Sequence, residues 1–256
     1  MGPAALKSSW CKAGRSNCTH CFGIPQATGR FRQCYSIMGV GTRRRTRPRK
    51  LRAVGPVFAK RGYVLLFVYR RGSGLSAGQG TSAIDLMDRE LARHGQDARN
   101  KLQLELLQTD QLTDALAGLA FLRVLPEVAS NRVAVAGHSF GASLTLLIAE
   151  RDSALRAAIA FSGSTASWEH SPQLRARLIA AVGRTTVPIF FIEAENDYSI
   201  EPAKVLSAEM GRLGKLHRIK IYPPVGQTAN DGHGFVFLRV GLWEHDVFDF
   251  LQERMR

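Results

Sequence analysis

The sequence predicts an α/β fold, a mainly parallel central sheet with helices on both faces, and three observations carry that prediction. From about Val54 onward, short apolar runs alternate with longer stretches whose apolar residues recur at three- and four-residue spacing. Such alternation is the pattern of parallel strands joined by crossover helices. The strand candidates are apolar at consecutive positions, as strands buried on both faces are. One of them, "RVAVAG" at 132–137, passes through a short turn directly into an apolar helical stretch.

In chain order, residues 1–52 read as a basic, cysteine-containing extension, poorly ordered, ahead of a folded domain at 53–256. Strands are expected at 63–69 ("YVLLFVY"), 132–137, 156–162 ("RAAIAFS"), 187–194 ("VPIFFIEA") and 217–223 ("HRIKIYP"). Helices are expected at 101–125, 141–150, 172–182, 202–213 and 241–254, each able to cover one face of the sheet. The interval 73–100 is longer and more polar than a simple connection. It reads either as a cap over a binding site or as a plain surface helix.

Aliphatic and aromatic residues make up 45% of the 256 residues and charged residues 22%, which excludes collagen-like, disordered and membrane-bundle classes. The formal charge of +14 is unevenly placed. Sixteen of the 35 Lys and Arg precede the first acid, Asp85; the other 19 stand against all 21 acids. The folded part is therefore near neutral, and its expected partner is a small molecule rather than nucleic acid or membrane. Only "RRRTRPRK" at 43–50 offers a polyanion patch or a targeting signal. All four cysteines, Cys11, Cys18, Cys21 and Cys34, lie in the leading segment. "CTHC", with His20, looks like half a zinc site, but a second close ligand pair is missing, so no metal is expected. The acid-free start resembles a transit peptide in composition but has little helical amphipathicity; a soluble, cytoplasmic protein is expected.

The chemistry is concentrated at Gly137-His138-Ser139-Phe140-Gly141, a G-x-S-x-G turn between strand and helix. So sharp a turn strains its central residue and needs glycine where a side chain would collide, and it leaves Ser139 exposed at a helix N-terminus. A serine hydroxyl needs a base within reach and an acid to orient that base. On such a sheet both belong in loops after later strands, in the order Ser, Asp or Glu, His. Asp197 follows strand 187–194, and His233 lies in "PVGQTANDGHGF" after strand 217–223. Glu193 and Glu195 are rivals for the acid but sit in or at the very end of the strand. Asp231 is too near His233 in sequence, and His138 reads as packing or positioning the nucleophile.

"RVAVAGHSFGAS", "FFIEAENDYS" and "YPPVGQTANDGHGF" resemble the serine-nucleophile branch of the dienelactone hydrolase-like α/β-hydrolases, close to the catalytic domain of prolyl oligopeptidase-type peptidases. "FAKRGYVLLFVYRRGSGLS" at 58–76 is similar to the helix A and fourth-strand region of both. The resemblance covers 54–256. It implies an α/β-hydrolase fold with Ser139 as nucleophile, Asp197 as acid, His233 as base, and the Phe140 backbone N–H as one oxyanion donor. It implies no cofactor. True dienelactone hydrolases carry Cys where this chain has Ser139. The hydrolases that the chain resembles have, before helix A, an apolar strand ending in an H-G loop that supplies the second oxyanion donor; here that place falls near 35–50. Either "YSIMGVG" (35–41) substitutes crudely for the strand or the N-terminal strands are incomplete. The resulting expectation is a carboxylic ester hydrolase, with a serine peptidase or a catalytically impaired binding protein as alternatives. Its pocket is expected to be lined by His138, Tyr69, Phe140, Trp168 and the 73–100 interval.

Overall fold

The computed structural model describes residues 21–22, 33–38 and 49–256, with side chains from Ala53 onward apart from Leu75. Among the described residues, seven strands form one sheet: β1 (Cys21–Phe22), β2 (Gln33–Met38), β3 (Tyr63–Phe67), β4 (Val133–His138), β5 (Ala157–Phe161), β6 (Ile189–Ala194) and β7 (His217–Tyr222). Their order is β1-β3-β2-β4-β5-β6-β7. β1 runs antiparallel to β3 and every other pair is parallel. β1 and β2 both precede the boundary expected at residue 52, so the sheet draws strands from both sides of it. All five strands expected downstream are present; β4 is shifted one residue on, to Val133–His138, and the others are trimmed by one to two residues at one or both ends.

The helices are α1 (Arg49–Lys60), α2 (Ala83–Gln108), α3 (Asp110–Arg123), α4 (Phe140–Arg151), α5 (Pro172–Arg184), α6 (Glu201–Arg212), the short α7 (Ala229–His233) and α8 (Phe235–Leu238), and α9 (Val240–Arg254). Strand periodicity divides the core. Val133 and Val135 of β4, with Ala158 and Ala160 of β5, face a layer built from α2 to α6. Ala134 and Ala136, with Ala157 and Ile159, face a layer built from α1, α8 and α9. With both faces covered, β5 and β4 up to its last residue, His138, carry apolar side chains or glycine, which explains the continuous apolar runs. The second layer is aromatic: Trp243 is fully buried, its ring 5.2 Å from Phe161 and 6.3 Å from Phe58, and its indole N–H donates to the Val236 carbonyl.

From β2 the chain steps to β3 on one side, and from β4 it steps away through β5, β6 and β7 on the other. The adjacent β2 and β4 thus flank the point where strand order reverses, the place where open α/β sheets hold their ligands. Met38, the last residue of β2, is opposite Gly137. Ser139 follows one residue beyond the end of β4.

The 73–100 interval is a 3₁₀ turn (Gly74–Gln79) followed by the first part of α2. The Ser82 side chain caps α2 by accepting from the Asp85 N–H, and the helix breaks at Gly95 (φ 83°, ψ −174°). The interval is tied to the loop after β5: Asn100 Nδ2 donates to the His170 carbonyl at 2.6 Å, and the Ser167 hydroxyl donates to Gln103 Oε1 at 3.1 Å. The single helix expected at 101–125 is two, separated at Thr109 (φ −116°, ψ −106°).

Candidate active site

The elbow is built by close approach. A Cβ placed on Gly137 would lie 2.1 Å from the Gly141 carbonyl oxygen and 2.6 Å from Thr145 Oγ1. The strand end and the first turn of α4 therefore touch backbone to backbone. This contact forces Ser139 to φ 58°, ψ −120°, a conformation that costs a non-glycine residue on the order of 1–3 kcal/mol. Phe140, the first residue of α4, has an N–H with no partner inside the helix, at the positive end of the helix dipole. Ten successive residues of α4, Phe140 to Ala149, are buried, so the strained turn is anchored by a helix buried all round.

Asp197 arrives from the turn after β6 and His233, expected in a loop, as the last residue of α7, and Asn196 sews the two segments together. Its side-chain amide donates to the carbonyls of Val225 and Thr228 at 3.0 Å, and its Oδ1 accepts from the Val225 N–H at 2.9 Å. Gly232 makes the approach possible, since a Cβ there would lie 2.5 Å from the Asn196 carbonyl oxygen. α7 is started by a reciprocal cap between Thr228 and Asp231. Asp231 is thereby committed to its own helix N-terminus.

The result is a continuous chain of hydrogen bonds. His233 Nδ1–H donates to Asp197 at 2.9 Å (Oδ1) and 3.2 Å (Oδ2), and the Ser139 hydroxyl donates to His233 Nε2 at 2.9 Å. A carboxylate can only accept, which fixes the proton on Nδ1 and leaves Nε2 to receive one from serine. Burial alone would raise the Asp197 carboxyl. The hydrogen bond and charge of His233, with the Ser162 and Thr165 hydroxyls, outweigh it and hold the group below the usual carboxylate range. The Tyr198 N–H adds a further bond to Oδ1 at 2.6 Å.

The other residues singled out in the sequence are distributed as follows. His138 Nε2–H donates to the His233 carbonyl at 2.6 Å, and the two rings lie 4.7 Å apart, so His138 holds the histidine loop against the elbow. Tyr69 is half-buried against Phe67. Trp168 is 3% exposed and belongs to the core layer under α2 to α6. Glu195 is exposed, whereas Glu193 is buried. The loop that would carry the second oxyanion donor, 39–48, lies outside the described residues, as do His20 and the four cysteine side chains. Among the described residues no group of three or more His, Cys, Asp or Glu could hold a metal, and no helix is long and apolar enough to cross a membrane.

Several residues at the site went unread in the sequence. Thr165 Oγ1 lies 3.0 Å from His233 Nδ1, and Ser162 Oγ–H reaches the His233 carbonyl at 3.4 Å. Ser162 and Ser164 both have positive φ, and Ser164 Oγ is 2.6 Å from Ser143 Oγ on α4. The available signal was "SGST" directly after a buried strand, a cluster of small hydroxyl residues at the end of the sheet where the site forms. Arg70, 2% exposed, stacks its guanidinium 4.4 Å over the Phe140 ring and donates to Gln111 at 2.7 Å. Burial lowers it to about 10.

Solved structures of this shape include hydrolases. Est1E from Butyrivibrio proteoclasticus, with ferulic acid bound, superposes with a TM-score of 0.63 at 18% identity, covering 91% of this chain and 93% of that one. The Pyrococcus furiosus esterase Pf2001 gives 0.61 at 16% identity, covering 88% and 83%. An acylaminoacyl peptidase in complex with Z-Gly-Gly-Phe-chloromethyl ketone gives 0.57 at 18% identity over 89% of this chain and 37% of its own, so the chain spans little more than a third of that peptidase's length. At these identities the likeness is one of fold, the α/β-hydrolase fold. No curated protein matches the chain in sequence. Residues 39–238, which include Ser139, Asp197 and His233, match the profile of the dienelactone hydrolase family. With that match spanning most of its length, the chain belongs to the dienelactone hydrolase family.

Proposed function

We propose that the chain is a serine hydrolase that cleaves a small carboxylic ester through an acyl-enzyme on Ser139. The observation that supports this reading is the unbroken Asp197–His233–Ser139 hydrogen-bond chain, with both inner links at 2.9 Å, ending on a strained elbow serine. Ser139 Oγ attacks the carbonyl carbon while its proton passes to His233 Nε2. The tetrahedral oxyanion faces the Phe140 N–H at the head of α4; a donor of this kind is worth about 10²–10³ in turnover. The C–O bond to the leaving group then breaks, and the departing alkoxide takes the proton from Nε2. Water reverses the sequence: Nε2 removes its proton, hydroxide adds to the acyl carbon, and Ser139 leaves with that proton. Asp197 stays ionised and holds the imidazolium. The site draws on no cofactor for any step. An ester is favoured over a peptide because the likeness runs through most of two esterases and only 37% of the peptidase.

Treatment with a fluorophosphonate and mapping of the adduct by mass spectrometry tests the assignment. The adduct is expected on Ser139, with p-nitrophenyl acetate hydrolysis abolished in Ser139→Ala and His233→Ala. An adduct on another residue, or wild-type turnover in Ser139→Ala, would overturn it.

A further inference from the structure

Glu193 is a carboxyl that the proposed reaction does not use. It lies on β6, 1% exposed, with Ile221 opposite it on β7. One oxygen, Oε1, accepts the Gly163 N–H at 3.2 Å. The other, Oε2, is closed to solvent and accepts no hydrogen bond of good geometry among the described residues. The charged group acting on this carboxyl is a second carboxyl, that of Asp197, and the Gly163 N–H it accepts neighbours Ser162, whose hydroxyl reaches the His233 carbonyl at 3.4 Å.

Two carboxylates in contact in a dry site do not both ionise; one keeps a proton and donates it to the other. Which one keeps it follows from the donors each receives. Asp197 has His233 Nδ1–H, the Tyr198 N–H and the Thr165 hydroxyl. Glu193 has the Gly163 N–H and a share of Ser162. The charge therefore belongs on Asp197. We propose that Glu193 is a positioning residue behind the triad: a neutral carboxylic acid that donates a hydrogen bond to Asp197 and fixes the carboxylate that orients His233. Burial first, and then the Asp197 charge, push the Glu193 carboxyl well above its usual range, in line with that geometry. The charge acting on Glu193 is that of Asp197; Gly163 and Ser162, which act on it through hydrogen bonds, carry none.

The inference rests on the triad reading, and its test includes a readout independent of turnover. Glu193→Gln keeps an acceptor for Gly163 and offers an N–H to Asp197. It should retain activity within about threefold, the scale of one neutral hydrogen bond, with the acidic limb of the pH–kcat/KM profile in place. Glu193→Leu removes the donor. Asp197 then holds the imidazolium more strongly, so the acidic limb should move to higher pH while kcat falls about 10- to 100-fold, as for a lost hydrogen bond to a charged group. A Glu193 that is ionised predicts the opposite sign: either substitution would remove a negative charge and move the limb to lower pH.

Stability supplies the second readout. A raised folded-state pKa contributes stability that is present below the unfolded pKa and lost as pH rises towards the folded one. Above about pH 5 the unfolded glutamate is ionised while the folded one keeps its proton, so the Tm advantage of Glu193→Gln over wild type should grow as pH rises. A difference that stays flat over that range, or a limb that moves down in Glu193→Gln, would overturn the proposal. Failure of the fluorophosphonate to label Ser139 would instead overturn the hydrolase reading and leave the stability result standing.

Discussion

At Gly232 the absence of a side chain decides how near His233 can come to its acid. The Asn196 carbonyl would lie 2.5 Å from a Cβ there, and that carbonyl is backbone, one residue before Asp197. Gly232→Ala must therefore push the histidine loop off the acid loop, which Asn196 otherwise ties to Val225 and Thr228. A shift near 1 Å at such a junction costs about a hundredfold in rate. Gly232→Ala is expected to lose turnover on that scale with its KM little changed, because the displaced link lies between catalytic groups. Steady-state kinetics would check this, and a variant with wild-type kcat would mean that the loops separate without moving the imidazole. His138, from the other side, holds the same residue by its carbonyl. His233 is thus fixed through its main chain by the elbow and through its ring by Asp197.

Among the elements, α9 contributes to stability without approaching the nucleophile. Trp243 packs on Phe161 of β5 and Phe58 of α1, and its N–H reaches Val236, so its removal opens a cavity in the aromatic layer behind the sheet. Trp243→Ala should lower stability by about 3–5 kcal/mol in denaturant titration. Below its lowered Tm it should still be labelled at Ser139, because the elbow is anchored by α4 on the opposite layer. The elements legible in the sequence are those whose environment is uniform: β4, β5 and α4 are buried all round, and an unbroken apolar run admits few readings. β2 was read only as the fragment "YSIMGVG", because "QCYSIM" mixes polar and apolar residues inside a strongly basic stretch. The break at Thr109 escaped because the apolar period continues across it. At the site, Ser139, Asp197 and His233 were selected by order and loop position. The depth of Glu193 was not legible, since strand position says that a carboxyl alternates to one face but not that the face is closed.

For the molecule as a whole, the decisive strand is β2, which precedes every helix described. β2 lies between β3 and β4, pairing Gln33 with Tyr63 through Ile37 with Phe67 on one side and Cys34 with Val133 through Met38 with Gly137 on the other. β1 pairs with β3 alone, at the sheet's edge. Deleting residues 1–32 removes an edge pair and leaves every parallel ladder, and the product should remain folded and react with a fluorophosphonate. Deleting residues 1–52 removes the interior strand. β3 and β4 would then stand about two strand spacings apart, roughly 10 Å, with their backbone donors and acceptors unpaired in the middle of a buried sheet. Closing that gap would drag α1 and the aromatic layer across the sheet, against the register set by α2 and α3. The shorter chain should show no cooperative unfolding transition and no labelled serine, measured by circular dichroism melts and adduct mapping on both deletions. A folded, labelling-competent protein lacking residues 1–52 would show that β3 can pair with β4 directly and that the hydrolase unit begins after β2.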